Sequence, residues 1–306
     1  MRGRTGALDD AALLEPEGDG PAMVYTIDVI TPIVDDPRAF GRIAACNAIS
    51  DVYAMGGRPQ VALSFVGMPD SLGLDTLEAV LLGMAEKAHE AGVAVVGGHT
   101  IKDTEPKAGF AVIGSVARDS VWTQTGAKAG QAIVLTKPLG TGVLAQAAKK
   151  GQAKESHMAS AVQFMEMLNA DACRVGQAHG VTAATDVTGF GMLGHLSHIA
   201  NASDLSVELN VDSVPLLDGA AAAVSGGFVP GGSKRNLAYV REQLRQHENV
   251  DEARLLLLAD AQTSGGLLMA VPPQELESVL SKLPNAKKIG SFVDGETGTI
   301  KLSHQG

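Results

Sequence analysis

Asp28 and Asp51 are the first residues of this chain whose types and spacing could do chemistry. Asp28 sits in an apolar run, Thr26-Ile-Asp-Val-Ile-Thr-Pro32. Asp51 comes late in the helical pattern that opens at Phe40, just ahead of Gly56-Gly57. A carboxylate near a helix C-terminus faces the negative end of the macrodipole, which costs a few tenths to about 1 kcal/mol. A bound cation offsets that cost. An acidic pair beside a Gly-rich helix exit therefore reads as a metal–nucleotide site and points to phosphoryl chemistry.

Two further acidic sites lie beside small residues: Asp9-Asp10-Ala-Ala-Leu13 near the start, and Thr185-Asp186-Val-Thr-Gly-Phe-Gly191. Mg²⁺ favours oxygen ligands and usually takes one or two carboxylates plus substrate phosphates. Aspartates arriving from separate loops suit that pattern. A lone Asp in a Gly-rich loop is more often a turn or helix-capping residue, a reading that weakens when four such loops recur.

The Gly-rich segments add candidates. Val96-Gly-Gly98-His99-Thr100 is expected as a turn after a strand at 93–97, either cradling phosphate with backbone N–H groups or serving as a tight strand exit. Thr263-Ser-Gly-Gly266 reads as a turn before a strand. Val229-Pro-Gly-Gly-Ser-Lys234-Arg235-Asn236 reads as an anion-binding loop or a solvated charged turn. His195 and His198 share a helix face, but no further His or Cys nearby would complete a zinc site. No Ser-His-Asp triad or Walker-type loop is present.

Elements must position these residues. Strands are expected at 23–30, 61–67, 93–97 and 110–117, with helices at 38–55 and 74–91. A polar, Gly-containing stretch from Arg118 to Gln131 marks a domain boundary, giving domains 1–118 and 119–306. The second half is expected to hold a strand from Ile133, helices at 141–150, 157–179 and 191–201, and a strand at 205–211. Helices near 213–225 and 236–247, a strand at 266–271, a helix at 273–283 and strands at 288–293 and 299–303 complete a two-domain α+β or α/β chain.

Composition bounds the function. The 306 residues carry a formal charge of −10, which argues against nucleic acid as the main partner. Two cysteines, Cys46 and Cys173, lie in apolar helical patterns and are expected as buried small hydrophobes in a reducing cytoplasm. No apolar run approaches the ~18 residues of a membrane span, and no signal peptide is evident.

The chain closely resembles the selenophosphate synthetase (selenide, water dikinase) family of the aminoimidazole ribonucleotide synthetase-like superfamily. The likeness rests on Asp9-Asp10-Ala-Ala, Asp28 through Pro37, Phe40 through Gly57, Gly97-Gly-His-Thr100, Leu135-Thr-Lys-Pro-Leu-Gly-Thr-Gly-Val143, Thr185 through His195, Val229-Pro-Gly-Gly232, Arg235-Asn236 and Gln262-Thr-Ser-Gly-Gly-Leu-Leu268. It implies two α+β domains and a homodimer formed through N-domain strands. It implies conversion of ATP and selenide to selenophosphate, AMP and orthophosphate, with Mg²⁺ and K⁺ required. Asp10, Asp51 and Asp186 match the magnesium ligands. Asp28, Asp51, Gly98, His99 and Thr100 match positions that contact ATP.

One segment of the family pattern has no match. Family members carry a Gly-rich N-terminal stretch with a reactive Cys or selenocysteine and a Lys three residues later; here Met1 falls nine residues before Asp10. No catalytic residue is therefore assigned. A selenocysteine codon read as a stop, or a trimmed chain, is the expected origin. These 306 residues are expected to bind Mg-ATP and to turn over selenide poorly. The rival readings are a non-catalytic Mg-ATP-binding relative and another superfamily kinase, such as a thiamine-phosphate kinase.

Overall fold

The computed structural model describes residues 2–3 and 9–304. The chain forms two compact units. One comprises Asp10–Val121 with Met165–Ala170, together with Arg2–Gly3; the other comprises Asp9, Trp122–Phe164 and the chain from Asp171 onward.

The first unit is a six-stranded sheet backed by two helices. Its strands are β1 (Arg2–Gly3), β2 (Ala12–Glu15), β3 (Ala22–Ile30), β4 (Arg58–Met68), β5 (Ala94–Lys102) and β6 (Lys107–Val116), in the order β1-β2-β3-β6-β4-β5. Only β4 and β5 run parallel. Helix α1 (Pro37–Ala54) starts where Asp36 accepts a hydrogen bond from the Ala39 backbone N–H at 2.6 Å and Pro37 presets the first turn. Helix α2 (Gly73–Glu90) crosses α1 closely. A Cβ on Gly41 would fall 2.1 Å from the Val80 carbonyl oxygen, and one on Gly83 2.1 Å from that of Arg38, so both crossing points demand glycine. Period-2 alternation splits the sheet into two faces. Val24, Phe110, Val112, Ala62 and Val66 are buried on one, while Ile27 and Leu63 stand exposed on the other.

The second unit is a seven-stranded sheet with helices. Its strands are β7 (Ala132–Leu135), β8 (Ala184–Asp186), β9 (Ser206–Asn210), β10 (Leu244–Arg245), β11 (Leu267–Val271), β12 (Lys287–Val293) and β13 (Ile300–Ser303), ordered β10-β13-β9-β12-β7-β11-β8. Its helices are α3 (Thr141–Lys149), α4 (Glu155–Met165), α5 (Ala170–Ala178), α6 (Gly191–Ala202), α7 (Ala220–Ser225), α8 (Gly231–Val240), α9 (Glu252–Leu258) and α10 (Leu276–Lys282). Its core is aliphatic: Ile133, Leu135, Leu193, Leu196, Val207, Leu209, Leu258 and Ile289 cluster with Phe292.

Several expectations need correction. The helix expected at 157–179 is two helices, because residues 166–169 leave the second unit's helical run to pack on α1. The helix expected near 213–225 shrinks to α7, since Pro215 and the Gly226-Gly227 pair interrupt the pattern; the one expected near 236–247 is α8, which begins earlier, after Pro230, and ends at Val240 ahead of β10. Strand β2 and helix α9 were not expected. Among the described residues no helix is long and apolar enough to cross a membrane. Both cysteines are buried, as expected, and burial pushes the Cys173 thiol up to about 12.

Candidate metal–nucleotide site

Strand β3 and helix α1 meet through two polar pairs. On the strand, Thr26 and Asp28 are two residues apart and share the inward face; on the helix, Asn47 and Asp51 are four apart and share a stripe. The Thr26 hydroxyl donates to the Asp51 carboxylate, and the Asn47 side-chain amide donates to that of Asp28. Both carboxylates are thus fixed by neutral donors, and neither pair is an ion pair. Burial lifts the Asp28 pKa above the usual carboxylate range, more than the hydrogen bonds from Asn47 and the Val29 backbone lower it. A carboxylate held partly desolvated without a cationic partner is suited to a cation.

Asp10 lies two residues before β2, whose Ala12 pairs with Tyr25 of β3. The antiparallel register carries the chain before Ala12 toward the Thr26–Asp28 end of β3. Asp9, next to it, belongs to the other unit, where its carboxylate accepts from the Gln124 backbone N–H at 2.9 Å.

The turn expected at Gly97–Thr100 is not a turn. Gly98, His99 and Thr100 lie within β5, paired in parallel with Ser64, Phe65 and Val66 of β4. The glycine there serves close strand approach: a Cβ on Gly98 would fall 2.1 Å from Ser64 Oγ and 2.3 Å from Ser64 O. Strand β5 is the outer strand of the sheet, and all nine of its residues are exposed.

In the second unit, Asp186 ends β8, opposite Leu267, and is 2 % exposed. His195 supports the loop that follows. Its Nε2 accepts from the Thr188 backbone N–H at 3.2 Å, so Nδ1 carries the ring proton and donates to Thr185 Oγ1, also at 3.2 Å. Burial pulls the His195 pKa down to about 3, so the ring is neutral and holds the loop through its hydrogen bonds. Two residues past the end of β7, Lys137 is 3 % exposed, and its ammonium donates to the Ser264 carbonyl at 3.0 Å.

The N-terminus of α3 is capped from a distance in sequence. Gln262 Oε1 accepts from the Gly140 and Thr141 backbone N–H groups at 3.0 and 3.1 Å, and Asp260 Oδ2 from those of Gly142 and Val143 at 3.1 and 3.2 Å. Every N–H of that first turn is met by a buried side chain. The segment Gly231–Arg235 proves to be the first turn of α8 rather than a loop.

The structure therefore brings Asp28 and Asp51 to one strand–helix seam, and it places Asp186 in the other unit. Among the described residues, no group of three His, Cys, Asp or Glu side chains is arranged to hold a metal ion. Sequence reasoning passed over Thr26 and Asn47. The coincidence of i,i+2 spacing on the strand with i,i+4 spacing on the helix was the available signal for them.

The family matches now define the class. Residues 8–116 match the AIR synthase related protein N-terminal domain and residues 128–303 the corresponding C-terminal domain, so the chain has the two-domain α+β architecture of that superfamily. The chain belongs to the selenide, water dikinase family: it is 44 % identical over 298 residues to the selenide, water dikinase of Myxococcus xanthus, covering 95 % of this chain and 84 % of the relative. That of Nitratidesulfovibrio vulgaris (strain Hildenborough) is 46 % identical over 277 residues, covering 90 % and 79 %. Among solved structures, thiamine monophosphate kinase from Aquifex aeolicus superposes with a TM-score of 0.72 at 18 % identity, covering 97 % and 91 %. Hydrogenase maturation protein HypE in complex with ATP gives 0.66 at 20 %, covering 96 % and 84 %. At those identities the likeness is one of fold.

Proposed function

We propose that this chain uses Mg²⁺ and ATP to convert selenide to selenophosphate, releasing AMP and orthophosphate. The observation that carries the reading is the double cross-link of β3 to α1, which holds Asp28 and Asp51 at one strand–helix seam in a member of this family. Asp10, Asp51 and Asp186 hold Mg²⁺; Asp28, Asp51, Gly98, His99 and Thr100 meet ATP; K⁺ is a further requirement. The donor set fits: every proposed ligand is a carboxylate oxygen, the type Mg²⁺ favours, and waters and substrate phosphates ordinarily supply the rest. When bound, the ion supplies charge neutralisation at the phosphoryl oxygens.

The protein's part is positioning. Thr26 and Asn47 orient the two carboxylates through hydrogen bonds from neutral groups. The reaction belongs in the cytoplasm, and the working form is a homodimer. The outward face of the six-stranded sheet supports that, with Ile27 70 % and Leu63 46 % exposed beside the fully exposed β5. The test is the nucleotide product: with Mg²⁺, ATP and selenide, AMP should form in step with selenophosphate followed by phosphorus NMR, even at low turnover. ADP as the selenide-dependent product would sink the reading.

A further inference from the structure

Helix α1 is gripped along three stripes, and only two of them belong to the sheet and to α2. The third is made by residues 165–170, a strap whose flanking residues, Phe164 and Asp171, both belong to the second unit. Arg42 Nε donates to Glu166 at 2.7 Å, the Cys46 thiol to the Met167 carbonyl at 3.2 Å, and Asn169 Nδ2 to Ser50 Oγ at 2.8 Å. Positions 42, 46 and 50 are spaced by four, so the strap follows one stripe of the helix for two turns. Asn47 and Asp51 occupy the adjacent stripe, about 100° further round from Cys46 and Ser50 respectively.

The last of these contacts stands apart. Asn169 and Ser50 are 3 % and 1 % exposed, so this is a buried neutral hydrogen bond one residue from Asp51, in the turn before α1 ends. Rotation or fraying of that turn would move the Asp51 carboxylate relative to Thr26 and Asp28. Arg42 and Cys46 hold the helix further back, where such motion matters less.

We infer that Asn169 is a positioning residue for the metal–nucleotide site, acting through Ser50 to fix the azimuth of Asp51 on α1. The inference rests on the Mg-ATP reading of Asp51 given above. A strap that merely stabilises the fold would lower the melting temperature and leave the response to Mg²⁺ unchanged. A positioning strap changes that response.

The experiment is calorimetric titration of the full chain with ATP across a series of Mg²⁺ concentrations, alongside thermal melts. Asn169→Ala should raise the Mg²⁺ concentration for half-maximal ATP binding by about tenfold, the scale of one lost buried hydrogen bond expressed at the site. Should that variant not fold, Ser50→Ala removes the same bond from the helix side while keeping a strong helix former. The double variant should shift no further than either single one. An unchanged Mg²⁺ response in a folded single variant overturns the inference. Asp51→Asn in the same assay separates the two levels. If it shifts the Mg²⁺ response while the strap variants do not, the site reading stands and the positioning role falls; if it too changes nothing, both fall.

Discussion

The Thr26 hydroxyl donates to the Asp51 carboxylate, tying an inward-facing position of β3 to the last turn of α1. Asp51 thus has a neutral donor among its partners, and it sits at the negative end of a helix.

Asp51→Ala should abolish the Mg²⁺-dependent part of ATP binding, read by titration calorimetry, with little effect on the melting temperature. Thr26→Val keeps the carboxylate and removes its donor, and should weaken Mg-ATP binding by about fivefold, in line with ~1 kcal/mol for one hydrogen bond. Affinity untouched by Asp51→Ala would return this residue to the ordinary helix surface.

Asp28 gives a pH dependence with a definite sign. Burial raises its pKa, so on acidification it takes up a proton earlier than an ordinary carboxylate. Mg-ATP binding should therefore weaken as pH falls toward the carboxylate range, and Asp28→Asn should give weaker binding with that part of the dependence removed. A wild-type profile flat down to the ordinary carboxylate range would show that Asp28 does not face the ligand.

Asp260 predicts the opposite trend for stability. Burial raises it to about 6 from 3.8, despite four hydrogen bonds to its oxygens. The native state then binds more protons than the unfolded chain between those values. Its stabilising contribution is complete below about pH 4 and declines as pH rises to about 6, by about 3 kcal/mol in all. Urea denaturation across that window should show Asp260→Asn lacking this decline; an identical slope in both proteins would refute the assignment.

Gly98→Ala tests the corrected reading of the glycine segment. The new methyl would press on Ser64 Oγ and O, so β4 and β5 must separate, at a cost of about 1–3 kcal/mol. Denaturation should show that loss whether or not ATP is present. An undisturbed midpoint would mean that the strands tolerate wider spacing.

Legibility in the sequence tracked the range of the interactions. Strand β3 and helices α1 and α2 announced themselves through local periodicity, whereas the Thr26–Asp51 and Asn47–Asp28 hydrogen bonds that tie β3 to α1 depend on how the two elements pack. Gly97-Gly98 misled because glycine marks both a turn and a close strand approach, and only the β4 register distinguishes them. The helix expected at 157–179 failed for a different reason. Its polarity pattern is continuous, but Glu166 and Asn169 have their partners, Arg42 and Ser50, more than a hundred positions earlier. The caps on α3 by Asp260 and Gln262 are equally remote and equally invisible to a local reading.

The strap also constrains the order of events in biosynthesis. The ribosome delivers all six strands of the first unit once Val116 has emerged, yet α1 lacks its third set of contacts until Ala170 has been made. A nascent chain paused between those points would carry a sheet with the buried faces of Ser50 and Cys46 still wet. The first unit thus gains its last contacts only after Trp122–Phe164 of the second has been synthesised, and a cut near residue 121 would leave α1 without the strap.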